Sequence, residues 1–513
     1  MKPSLLTSIL RRSTIKSSEK YREPQSRWFI RLKQRLTIFV SIVAVGYAVY
    51  WLQTRPSTTS DELATQVEEF DPSTRLAAKE KLSTADLIYI ASNMDIDYDA
   101  PLPVLLDKIK DRMEIADKLL VKTSDELAQK EGTLYRIEAL QNLSKLNRSN
   151  SMGFTTIDDQ LFELCTANLN HLDPEVSKTA AGALMITAFD EYTFEPTSAN
   201  LKNALSKCNQ VASQLKNDDE IARAIFIYAA FKKKNEITVD DSVEFFQIII
   251  NHYLNSTNVD AKSAAENAYR EIVFGHQSGD SKSANLLIAG IRDRFRQKRR
   301  SAEKELSTRI RYALNPQLFD SDALLQVMNF LEIFASIDKI EPAQNLAEEV
   351  AIFLSDLEDP ELVNTGNKKI DDLQVRLDQF GKTMDLSDLE PVGEVDNDWL
   401  KPRLSLLIYW NTFDDRSQKL LRALNKLRMN QLVQCIVVCM DQDDESLKMI
   451  TKLTEAMSGF TFVKLPDANP DFLDRFPVPQ IPFLVLLDES QQVIGINPDF
   501  RGLGERIETL LQN

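Results

Sequence analysis

Cysteine is scarce in this chain: four in 513 residues, Cys165, Cys208, Cys435 and Cys439, with no pair spaced as CxxC. A disulfide-stapled framework and a local dithiol motif are both excluded. Cys435 and Cys439 lie in "VQCIVVCM", which reads as a strand. At ~3.3 Å per residue their Cα atoms stand about 13 Å apart, beyond the roughly 7 Å that a disulfide tolerates. They read as small buried apolar residues. Cys165 and Cys208 fall on separate predicted helices, where a bridge and a pair of core thiols both remain open. Histidine is scarcer still, and His171, His252 and His276 all precede the C-terminal region, so no His-rich metal site and no cofactor are expected. The 14 glycines are too few for the many tight turns of an all-β chain.

What is present suits a helix-rich globular protein of two or more folding units: 43% hydrophobic and 27% charged residues over 513 positions. The net charge of −16 is unevenly spread. Residues 1–35 hold ten Lys/Arg against Glu19 and Glu23, which leaves 51 basic and 75 acidic side chains in the remainder. That balance repels phosphate backbones, so nucleic acid is not an expected partner.

Between the two regimes lies "LTIFVSIVAVGYAVYWL", residues 36–52, seventeen positions without a charge. About 17 to 25 such residues span a bilayer as a helix. Trp28 and Phe29 on one side and Tyr47, Tyr50 and Trp51 on the other sit where an interfacial belt forms. The preceding basic segment places residues 1–35 in the cytoplasm and the bulk outside it, as a single-pass membrane protein. The rival, a cleaved leader, lacks a small-x-small site at "YAVYWLQT".

Residues 53–72 are polar with two prolines and read as a linker. From 73 to 379 the pattern is helical, roughly a dozen helices with short polar turns. Thr123 and Glu126 have capping-box spacing. In "SANLKNALSKCNQVASQLKN" the apolar Leu201, Ala204, Leu205, Cys208, Val211, Ala212 and Leu215 share one face. Segments beginning near Asp173, Asp218 and Val259 echo one another: an acidic cap, Lys or Arg, then small residues. A helix-pair solenoid and an irregular helical array both fit. One basic stretch, Arg292, Arg294, Arg296, Lys298, Arg299 and Arg300, reads as a docking patch for an anionic partner or membrane surface, or as a solvated face paired with Asp293, Glu303 and Glu305.

Residues 380–513 change character. Buried strands are expected at "RLSLLIYW" and "LVQCIVVCM", each followed by an amphipathic helix. A short strand "FTFVKL", a helical turn "NPDFLDRF", a hairpin of "FLVLLD" and "QVIGI", and a closing helix follow. This implies a mixed sheet sandwiched by helices, and hence a multidomain α plus α/β chain.

The order resembles the thioredoxin fold, in particular the membrane-anchored TlpA-like branch, over roughly residues 380–513. "YWNTF" (409–413) resembles the family's FWATW before its redox motif. "VPQIPFLVLLDESQQVIG" resembles the segment carrying its cis-proline, here Pro482. "GKTMDLSDLEPVGEV" is similar to the N-terminal hairpin such domains add. The resemblance implies a periplasmic location at a bacterial inner membrane.

It also places the redox motif at Asp414, Asp415, Arg416 and Ser417, where carboxylate and hydroxyl replace the two thiols. Neither can perform thiol exchange. Asp414 reads instead as a helix N-cap with Ser417 at N3, and "DD" alone offers too few ligands for a metal.

The family's extended-peptide groove, here Trp410, Phe413, Ile481 and Pro482, does not depend on the cysteines. The expected function is therefore a membrane-tethered extracytoplasmic scaffold binding a protein or peptide, with no catalytic residues. The alternatives are a thiol-disulfide oxidoreductase using non-motif cysteines such as Cys165 with Cys208, and a purely structural spacer.

Overall fold

The computed structural model describes residues 82–512, except 95, 97–99, 151–155, 235–238, 298–300, 388, 393–402, 427–432, 442, 458, 465–472 and 474–475. The basic segment 1–35, the expected membrane helix 36–52 and the linker 53–72 lie outside them. Among the described residues no helix is long and apolar enough to cross a membrane. Ser83–Asn513 forms one compact unit.

Among the described residues fourteen helices precede the sheet: α1 Thr84–Asn93, α2 Leu102–Leu120, α3 Glu126–Asn150, α4 Ile157–Asn168, α5 Pro174–Phe194, α6 Ser198–Gln214 and α7 Asp219–Lys234. Then come α8 Val239–Tyr253, α9 Val259–Phe274, α10 Ser281–Arg296, α11 Ser301–Ala313, α12 Ser321–Ser336, α13 Ile340–Ser355 and α14 Pro360–Asp378. Their starts are set locally. Asp173, Asp320 and Asp359 each accept backbone N–H bonds at a first turn, and prolines follow Asp173 and Asp359 at N1. The cap of α3 is Asp125 rather than the expected Thr123: Ala128 N–H donates to Asp125 Oδ1 at 3.1 Å, and Thr84 Oγ1 donates to Oδ2 at 2.6 Å. On α6, Ala204, Cys208, Val211 and Ala212 are buried, as the apolar face requires.

The sequence echo has a physical counterpart. Lys130 on α3 pairs with Asp173 (3.0 Å) and Glu175 (2.7 Å) at the start of α5, and Lys178 on α5 pairs with Asp218 (3.0 Å) and Glu220 (3.7 Å) at the start of α7. α3, α5 and α7 are thus linked in turn, a lysine of one reaching the acidic N-terminus of the next, where the helix dipole also favours the carboxylates.

The sheet follows, with β1 Glu390–Pro391, β2 Leu404–Trp410, α15 Asp415–Lys426, β3 Val433–Cys439, α16 Asp444–Ala456, β4 Phe460–Lys464, β5 Phe483–Asp488, β6 Val493–Ile496 and α17 Phe500–Gln512. Its order is β1-β4-β3-β2-β5-β6; β2, β3 and β4 run parallel, and the other neighbours pair antiparallel. Both faces are covered, so the strands read as unbroken apolar runs. Leu406, Ile408, Trp410, Cys435, Val437, Cys439, Leu484 and Leu486 pack under Leu421 and Leu424 of α15, Ile450 of α16, and Leu503 and Ile507 of α17. The alternate residues, among them Leu407, Tyr409, Ile436, Val438, Phe483 and Val485, join the core of the helical region.

Segment 380–391 departs from the expected hairpin. Phe380 and Thr383 bridge to Val493 and Gln492 at the β6 edge, whereas Glu390 and Pro391 pair with Lys464 and Val463 at the β4 edge. The segment thus joins the two edges of the sheet as a strap. Leu386 and Leu389 are buried along the way, and burial of those side chains favours the strap over a solvated hairpin.

Candidate functional site

Three loops meet at one end of the sheet because of strand register. Trp410, at the end of β2, lies opposite Cys439 at the end of the parallel β3, and Tyr409 lies opposite Phe483 at the start of the antiparallel β5. Turn 411–414, residues 440–441 and segment 477–482 are therefore neighbours.

The turn is closed by its own side chains. Ser417 N–H donates to Asp414 Oδ2 at 2.6 Å, and Gln418 N–H donates to Asp414 O at 3.0 Å, so Asp414 caps α15. The Ser417 hydroxyl and then its amide hold the Asp414 carboxyl below the usual carboxylate value. Ser417 itself is buried, and its Oγ accepts Asn411 N–H at 3.5 Å. Asp415 and Arg416 are exposed.

A residue missed in the sequence completes the site. Thr412 donates to Asp441 Oδ2 through both its N–H (2.5 Å) and its hydroxyl (2.6 Å). Gln418 Nε2 donates to Thr412 O at 2.6 Å, and Met440 N–H to Trp410 O at 2.9 Å. The only prior signal for Asp441 was its place just beyond a buried strand.

Of the four groove residues, Phe413 is 65% exposed, and Ile481 and Pro482 are half-buried across a cis peptide bond, as expected for Pro482. Trp410 must be corrected. It is fully buried on the helix-covered face, edge-on to Phe462 at 6.3 Å, and offers a ligand no surface. Strand alternation puts Trp410 on one face with Ile408 and Leu406, and α15, α16 and α17 cover that face.

Of the two readings of the basic stretch, Arg294 and Arg296 follow the paired face: Arg294 grips Glu305 through Nε and Nη2, both at 2.9 Å, and Arg296 pairs with Asp293 and also binds Asp499 at 2.9 Å, while Arg292 is half-buried near Glu332 and Asp499. Arg294 and Arg296 thus neutralise carboxylates of the fold, Arg296 from an exposed position. Lys298, Arg299 and Arg300 lie outside the described residues.

All four cysteines are buried thiols. Burial pushes Cys165, Cys435 and Cys439 up to about 12 and Cys208 well above the ordinary value. Such thiols hold almost no thiolate at neutral pH. Among the described residues no three His, Cys, Asp or Glu side chains gather into a metal site.

No protein-family model and no curated protein matches the chain. Solved thioredoxin-like domains do. The thioredoxin domain of a thiol-disulfide oxidoreductase from Bacteroides vulgatus matches at 18% identity and TM-score 0.22, covering 25% of this chain and 96% of that one. A thiol:disulfide interchange protein from Bacteroides sp. matches at 15% identity and TM-score 0.23, covering 26% and 91%. A thioredoxin-like protein from Bacteroides caccae matches at 12% identity and TM-score 0.33, covering 52% and 93%.

Proposed function

We propose that residues 380–512 are a thioredoxin-like domain of the TlpA-like kind that has lost its thiol chemistry, and that the chain is a scaffold holding an extended protein or peptide. In this reading, residues 36–52 tether it to a membrane, with the bulk on the extracytoplasmic, periplasmic side. The observation that carries the proposal is the closed cap at the redox position. Asp414 and Ser417 are hydrogen-bonded to each other and to α15, and neither is a nucleophile poised for attack. At the same end of the sheet Phe413 is exposed and Ile481 and Pro482 are half-buried, apolar groups available to a partner side chain.

The oxidoreductase alternative would need Cys165 and Cys208, which are buried and held protonated. A photoreactive phenylalanine analogue at Phe413 in the membrane-embedded full chain tests the proposal. Adducts are expected from Phe413, suppressed by Ile481→Asp and absent when the analogue stands at the fully exposed Leu172. Insulin-disulfide turnover that disappears with Cys165→Ser or Cys208→Ser would instead establish the oxidoreductase.

A further inference from the structure

The segment that presents Ile481 and Pro482 is poorly equipped to hold itself in place. Pro477, Pro479 and Pro482 make up half of residues 477–482, and each lacks a backbone N–H. Its neighbours supply the anchors. Phe476 stacks on Tyr409 at 6.3 Å and meets Phe483 edge-on at 6.2 Å, all on the face toward the helical region.

The polar anchor comes from outside the sheet. Arg376, on α14, is 1% exposed; its Nη1 donates to Pro477 O at 3.0 Å, its Nη2 pairs with Glu332 on α12, and its guanidinium lies 5.8 Å over the Phe483 ring. An uncompensated buried guanidinium is strongly unfavourable, so a site that keeps one must use its directed donors. Here they join two helices to the proline segment. Burial pushes the Glu332 carboxyl up, while Arg376 and Arg292 oppose the shift and favour the ionised pair.

We infer that Arg376 positions segment 477–482, so that the helical region and not the sheet alone determines how Ile481 and Pro482 are presented. This rests on the reading that this end of the sheet takes a partner. A change at the α12–α14 contact is then transmitted to the binding surface through one guanidinium.

Spin labelling of the full chain tests it without a partner. A nitroxide at Gln480→Cys labels selectively because the native thiols are buried, and one at Glu489→Cys, in the β5–β6 turn, serves as control. Arg376→Met and the charge-preserving Arg376→Lys should each raise the mobile spectral component at position 480 several-fold and leave position 489 unchanged. Lysine keeps the charge opposite Glu332 but lacks the fork that reaches both acceptors.

An unchanged spectrum at 480 in folded variants overturns the inference. Global unfolding of both variants also overturns it, because Arg376 would then serve the stability of the whole unit. Mobilised labels together with no photo-adduct at Phe413 would remove the binding function and leave the positioning role standing.

Discussion

Thr412 and Asp441 fasten two loops of the site to each other: both the amide and the hydroxyl of Thr412 donate to one carboxylate oxygen, at 2.5 and 2.6 Å. Thr412 is 1% exposed, so its donors have no water to turn to.

Asp441→Ala should therefore cost about 1–3 kcal/mol, the penalty for stranding a buried donor. Asp441→Asn keeps an acceptor oxygen and should cost less. Urea unfolding of the two variants checks this. Equal stability of Asp441→Ala and wild type would mean that the loops are held by other contacts.

The cysteines give a second expectation. With every thiol buried and three pushed up to about 12, Ellman's reagent at pH 8 should find almost none of the four in the native protein and all four in denaturant. Rapid reaction of one native thiol would reopen the oxidoreductase reading.

The sequence was legible where local physics decides. The apolar runs at 404–410 and 433–439, the hairpin at 483–496 and the cap at Asp414 all follow from residue type and spacing. It was illegible where partners are distant in the chain. The pairing of Arg296 with Asp293 was open to a local reading, but its second carboxylate, Asp499, lies some two hundred residues away. Asp441 had no local signature because Thr412 is 29 positions earlier. Trp410 shows the same limit: the strand was plain, but the covered face was settled only once α15, α16 and α17 packed on it.

Acid should act on the cap at Asp414. Its folded-state value lies below the ordinary 3.8, so the group contributes stability above that value, and the contribution is lost as pH falls through the lower, folded value. Carbon-detected titration should place the Asp414 midpoint below 3.8, and Asp414→Asn, which still caps, should flatten this part of the acid limb. A midpoint at or above 3.8 would contradict the hydrogen bonds from Ser417.

Glu305 poses the sharpest energetic question. Its side chain is fully buried and receives Arg294 and Arg309, each at 2.9 Å, while Arg309 also donates to Ile272 O at 2.6 Å. Two cations share one carboxylate, so Glu305→Gln leaves both undercompensated, and a loss of about 3–5 kcal/mol is expected. Arg309→Met combined with Glu305→Met should cost less than the sum of the single changes, because the second substitution removes a charge already stranded. Arg311, paired with Glu349 at 2.8 Å on the exposed side of the same helix, is the internal comparison. Arg311→Ala should cost under about 1 kcal/mol, since water and salt screen that pair. Chemical unfolding of the variants checks the ranking. A Glu305→Gln loss no greater than that of Arg311→Ala would mean that water reaches the cluster and that the arginines of α10 and α11 do not hold these helices together.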